Sequence, residues 1–173
     1  MTRSTPLVLL LRDGPDDLGA AGAALRLAGW APAGDGSGGV GQAFGPPDGR
    51  AFVQGTVGNE ARAESMLLAV AAGYGAIAVA ESPGEVWTRF VRAVDELADA
   101  RRWETTRLAG LDEAQIELLA AIGRGERVPA AARAASVSER SAHRLLFSAR
   151  TQLGARSNTH AASILVAEVG RLG

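Results

Sequence analysis

Between Glu139 and Leu153, at a helical advance of about 100° per residue, Ala142, Leu145, Leu146, Ala149 and Leu153 gather on one side. Arg140, Arg144, Phe147 and Thr151 fall on the opposite side, with His143 and Arg150 flanking them. A helix that only filled a core would not turn two arginines and a phenylalanine outward. A helix laid in a DNA major groove needs that set, because guanidinium groups pair with the acceptors of guanine and an apolar ring covers the thymine methyl. Arg140, His143, Arg144 and Phe147 are therefore the candidate base-reading residues. Around them, from Arg124 to Arg156, stand seven arginines and only two acids, Glu126 and Glu139, a local excess that attracts phosphate. The plainer alternative is a solvated basic face with Phe147 packed on a neighbour and His143 idle.

Little else in the chain offers chemistry. There is no cysteine, and two histidines, His143 and His160, are too few for a histidine-built metal cage. The glycine cluster Gly34-Asp-Gly-Ser-Gly-Gly39 lacks the Lys-Ser/Thr ending of a phosphate loop and reads as a connection. Asp16 and Asp17 open a helix, where carboxylates favour the dipole. Trp30, Trp87 and Trp103 suit core or interface positions. No nucleophile, base and orienting group can be assembled, so the expectation is a protein that is not an enzyme and uses no cofactor or metal.

The elements that must position the basic helix follow from patterning over 173 residues, 47% of them hydrophobic and 21% charged. That is enough for a packed core, and the apolar runs are far shorter than the ~20 residues of a membrane span. The expectation is a soluble cytoplasmic protein without membrane contact. Net charge is −1, but residues 1–100 carry −5 and residues 101–173 carry +4, with every cation an arginine. The first half alternates short apolar runs (Leu7 to Leu11, Ala51 to Val57, Ala76 to Ala80) with helical stretches from Asp16 to Gly29 and Glu60 to Ala72. Another helix opens near Ser82-Pro83 and carries Val86, Phe90, Val94 and Leu97 on one face, ending in Arg101-Arg102-Trp103. Val40 to Phe44 and Ala51 to Val57 flank Gly45-Pro-Pro-Asp-Gly49, which suits a hairpin or tight loop. Strands alternating with helices predict a small α/β layer.

The second half reads as all helix. Asp112 and Gln115 form a capping box before a stripe of Leu111, Leu118, Leu119 and Ile122 that stops at Gly123. Pro129 opens a short helix to Ala135, Ser138 caps the helix Glu139 to Leu153, and Gly154 closes it. Ser157 or Thr159 opens a last helix through Val169. A short helix, a turn at Ser136-Val137 and a long helix make helix-turn-helix spacing.

Residues 111–162 resemble the LuxR-type (NarL-like) helix-turn-helix domain without a gap, from Leu111 through Gly125 and Ser138 to Ala161. Ser138-Glu-Arg-Ser141 stands where the family has Ser-x-Arg-Thr, and Gln152-Leu-Gly-Ala-Arg-Ser157 where it has Lys-Leu-Gly-Val-x-Ser. The resemblance implies a four-helix domain whose third helix enters the major groove and whose fourth often dimerises. On these positions Arg127, Ser138, Ser141, Arg150, Thr151 and Arg156 would meet phosphates, and either Ile164, Val166 and Val169 of the last helix or the N-terminal domain would pair two copies on an inverted repeat. The chain departs from the family at Gln115 (usually Glu), Ala131 (Ile), Leu145 (His), Gln152 (Lys) and Asn158 (Arg), changes that thin the core and the phosphate contacts.

Residues 1–101 are similar in part to a receiver domain, with Val8 to Asp13 like its first strand and Ala71 to Pro83 like its last helix and strand. Receiver chemistry needs an acid cluster, a strand-end aspartate and a lysine. Arg12 replaces the first acid, leaving Asp13; no aspartate lies between Ala51 and Gly58; and Val79 or Ala80 takes the lysine place. The expected organisation is a degenerate receiver-like domain over 1–101, a linker over 102–109 and a DNA-binding domain over 110–173. The resemblances imply a homodimeric, phosphorylation-independent transcription regulator. The alternative is an interaction or ligand-responsive regulator, whose degenerate helix-turn-helix docks a partner protein or whose N-terminal cleft takes a small molecule.

Overall fold

The computed structural model describes residues 6–11, 16–33, 47 and 49–173. The strands β1 (Leu7–Leu11), β2 (Ala31–Pro32), β3 (Ala51–Val57), β4 (Gly75–Ala80) and β5 (Asp99–Arg102) form one parallel sheet in the order β2-β3-β4-β1-β5. Helices α1 (Asp16–Leu27), α2 (Glu60–Ala72) and α3 (Glu85–Leu97) are the crossovers, and α4 (Glu113–Gly123), α5 (Val128–Ala134), α6 (Glu139–Leu153) and α7 (Asn158–Gly170) follow. The α/β class with a helical second half is as expected. No helix among the described residues is long and apolar enough to cross a membrane.

Strand side chains alternate between faces, and β1 shows the sorting. Leu7, Leu9 and Leu11 join the core cluster that includes α1, while Val8 and Leu10 join the cluster of α2 and α3. The sheet is thus covered on both sides, which is why β1 can be apolar throughout.

Several expectations change. The sheet does not follow the 2-1-3-4-5 order of flavodoxin-like folds, since β1 lies between β4 and β5. The receiver likeness of residues 1–101 therefore stops short of the strand order. Val40 to Phe44 and residues 12–15 lie outside the described residues, as does the Gly34 to Gly39 cluster. Ala51 to Val57 does not form a described hairpin arm; it pairs in parallel with β2 and β4. The third helix starts at Glu85 rather than at Ser82-Pro83. Glu81 N–H still donates to the Val57 carbonyl, so the ladder holds the chain extended and the Ser-Pro pair is spent in the turn, leaving Gly84 as N-cap. That helix ends at Leu97, and the charged segment Asp99–Arg102 becomes an edge strand on β1.

Residues 102–109 are not an exposed tether. Trp103–Thr105 forms a 3-10 turn, and Trp103 and Leu108 are fully buried. One continuous apolar cluster runs from β1 and α1 through Trp103 and Leu108 into α4–α7. Four alanines of α1, Ala20, Ala21, Ala23 and Ala24, are buried in this cluster, and α4 comes closest at Gly19, where an added Cβ would lie 2.8 Å from the Glu113 carboxylate. Polar ties cross the same seam: Arg26 to Glu113 at 2.6 Å, Trp30 Nε1 donating to the Leu172 carbonyl at 3.0 Å, and Arg101 donating to the Arg171 carbonyl. At the outer sheet edge Ala31 and Ala33 N–H groups donate inward to Arg50 and Phe52 carbonyls, with Pro32 between them.

Because the core is shared, denaturant unfolding followed by tryptophan fluorescence and by far-UV circular dichroism should give coincident transitions. Trp103→Ala should lower stability by about 3–5 kcal/mol and keep them coincident; two separated transitions would mean the halves fold independently.

Candidate nucleic-acid interface

Local chemistry fixes α6. The Ser138 hydroxyl accepts from Ser141 N–H at 3.1 Å and donates to the Ser141 hydroxyl at 2.9 Å, while Gly154 ends the helix at φ 64°. The turn before it puts Ser136 at φ 55°, a left-handed conformation uncommon for a residue with a Cβ. Ala142, Leu146, Ala149 and Leu153 are buried against α4, α5 and α7, with Leu145 half-buried beside them.

On the outward side Arg140, His143, Arg144, Phe147 and Thr151 are all exposed, and Phe147 stands 63% exposed. The predicted base-reading set is thus brought onto one open face. The sheet reaches the helical half mainly through α1, which packs on α4 and α7, so α6 points its polar face away from that contact.

The predicted phosphate set divides. Arg127 is exposed as N-cap of α5, and Arg156 is exposed in the connection to α7. Ser138 and Ser141 serve each other at the helix start. Arg150 lays its guanidinium 5.5 Å from the Phe147 ring centroid and is only half exposed, with its Nε buried and unpartnered among the described residues. Thr151 donates its hydroxyl to the Phe147 carbonyl at 3.1 Å, so that hydrogen is used within the helix. Arg124 is held by Glu126 at 2.8 Å. Sequence reasoning passed over Arg133, an exposed cation in the last turn of α5; its position three residues before Ser136, beside the turn, was the available signal.

Two departures from the family pattern have structural work. Gln115 is 3% exposed, completes the capping box with Asp112, and turns its amide nitrogen to the Leu145 carbonyl at 3.4 Å, a donation a carboxylate cannot make. Gln152 donates to the Gly110 carbonyl at 3.0 Å and so ties α6 to the preceding segment. Arg107 does the same at the helix end, donating to the Leu153 carbonyl at 2.9 Å. Ala131 and Ala142 are both fully buried, so the thinner side chains still sit in the core.

The expected pairing residues also divide. Ile164 and Val169 are buried in the chain's own core, whereas Val166 alone of the three is exposed, at 62%. His160 uses Nδ1 to accept from Arg156 N–H at 3.2 Å. No group of three or more metal-ligating side chains occurs among the described residues. No protein-family model matches the chain, and no curated protein matches it at a significant level.

Gln115→Glu should cost about 1–3 kcal/mol in denaturant titrations, by burying a carboxylate against the Leu145 carbonyl. Ser136→Gly should gain up to about 1 kcal/mol, by removing a left-handed Cβ; no gain would mean the turn stores no strain.

Proposed function

We propose that the chain is a DNA-binding transcription regulator that reads duplex DNA through α6, with the sheet unit serving sensing or assembly. The observation that carries the reading is the open face of Arg140, His143, Arg144 and Phe147 on a helix capped at both ends. Donors for base edges must be held firmly, and the caps, the buried stripe and the ties from Gln152 and Arg107 supply that. Arg127, Arg133 and Arg156 add exposed cations nearby in sequence, which suits a backbone-positioning role.

Arg150 takes a part in this reading different from a free phosphate contact. Its guanidinium lies over Phe147 and holds the ring in place, as a cation over an aromatic face does. Pairing of two copies on an inverted repeat, with α6 helices about 34 Å apart, has Val166 as the α7 side chain left for it. Control by phosphoryl transfer is not part of the proposal, because the chain has no lysine and β4 ends in Val79 and Ala80 where a receiver would need one. The compartment this reading implies is the cytoplasm.

A second reading has one observation behind it. Thr151 and Gln152 spend donors inside the protein, which leaves fewer groups for phosphate and favours a helix-turn-helix that docks a protein partner.

Binding assays on DNA fragments separate the two. Arg144→Ala should cost about 1–3 kcal/mol at a specific site and relax sequence preference. Arg127→Ala should weaken all sequences alike and reduce the salt slope by about one. Absence of salt-dependent binding by the wild type would retire the DNA reading in favour of a protein partner.

A further inference from the structure

Phe147 is the most exposed large apolar side chain among the described residues, at 63%. It is also the only phenylalanine, tyrosine or tryptophan between Gly110 and Gly173. Its neighbours one turn away on α6 are His143 and Arg144 before it and Arg150 and Thr151 after it, so its own helix gives it no apolar cover. A protein-docking patch is contiguous and apolar; here one ring stands in a polar face. The Arg150 guanidinium lies over that ring, 5.5 Å from its centroid, and covers one face while the other stays open.

That half-covered state limits what the ring can meet on DNA. Insertion between base pairs needs both faces, and one is taken. Platforms for unpaired bases set several aromatic rings in succession, and α6 has one. A single open face suits a group projecting from the floor of the major groove, and the apolar group found there is the methyl on C5 of a pyrimidine.

We propose that Phe147, with Arg150 as its positioning residue, is a subsite for the 5-methyl group of a pyrimidine, carried by thymine or by 5-methylcytosine. The proposal rests on the DNA reading of α6 and adds a neighbour to it. Arg144 precedes Phe147 by three residues, a spacing that addresses successive bases on zinc-finger helices in the major groove. The methylated pyrimidine therefore lies in the base pair next to the guanine that Arg144 reads. Thymine and uracil present the same hydrogen-bonding edge and differ only in the methyl, so the subsite separates two bases that hydrogen bonds cannot. Methylation of a cytosine at the same place strengthens binding without a change of sequence.

Duplexes recovered by the full chain from a random pool supply the probe, and the guanine whose replacement Arg144→Ala tolerates marks the place. Changing the thymine beside it to deoxyuridine should weaken the wild type about fourfold, the worth of one buried methyl. Phe147→Ala should bind the two duplexes alike, and Arg150→Ala should shrink the preference below twofold. The preference is a ratio taken on one preparation, so loss of folded protein cancels from it. Cytosine against 5-methylcytosine at the same position separates the two sources: a gain of about fourfold upholds the methyl itself as the ligand, and a gain confined to thymine upholds thymine as its source. Equal binding of the thymine and deoxyuridine duplexes by the wild type, or a preference that survives Phe147→Ala, overturns the subsite and leaves the DNA reading standing. A preference unchanged by Arg150→Ala overturns the positioning role. A wild type without salt-dependent binding to any duplex defeats the DNA reading, and the subsite with it.

Discussion

The contact between α1 and α4 governs the rest of the molecule. At Gly19 an added Cβ would run into Glu113, so α4 settles closely on α1, and one apolar cluster that includes Ala20, Ala21, Ala23 and Ala24 extends from the sheet into the last four helices. Small side chains contribute little transfer free energy each, but they permit close helix approach and leave no voids. Trp103 and Leu108 fill the seam where a flexible connection would otherwise run. Two consequences follow for geometry. The helical half is oriented by packing and not only by its own sequence, and α6, being on the far side of α4 and α7, is left uncovered by the sheet.

The orientation is reinforced by polar contacts that would mean little alone. Arg26 with Glu113 is a surface pair, and such pairs are worth at most about 1 kcal/mol. The bonds from Trp30 and Arg101 go to the carbonyls of Leu172 and Arg171, just past the end of α7 at Gly170, and tie that segment to the sheet layer.

The helical half was legible in the sequence because its boundaries are written in local interactions: a capping box at Asp112 and Gln115, a serine cap at Ser138, a left-handed glycine at Gly154. The sheet was legible only in part. Asp99-Ala-Arg-Arg102 carries no apolar alternation and becomes a strand because Leu7 to Leu10 offers it a ladder, which is a long-range fact. Strand order is of the same kind: nothing near β1 announces that β4 and β5 will flank it. In the candidate site, periodicity was enough to place Arg140, His143, Arg144 and Phe147 on one face. It was not enough to show that Gln152 would reach Gly110 or that Arg150 would lie over Phe147. The reverse bond from Thr151 to the carbonyl four residues earlier was within reach of sequence reasoning, since threonine in a helix commonly makes it. Ile164 and Val169, which periodicity alone offered to a pairing surface, lie in the chain's own core, a destination that only the packing reveals.

The two edges of the sheet bear on how the chain behaves when it is crowded. An edge strand is an invitation to other strands, and exposed ladders are where fibrils and mispaired oligomers begin. At one edge β2 is two residues long, and its inward donors are Ala31 and Ala33, so the amide that would face outward belongs to Pro32, which has none. At the other edge β5 carries Asp99, Arg101 and Arg102, whose charges an incoming strand would have to neutralise. Neither β2 nor β5, as described, offers a run of free amides flanked by apolar side chains. Lateral growth along these two strands is blunted, and a newly made chain can finish its non-local parallel pairings with less exposure to its neighbours.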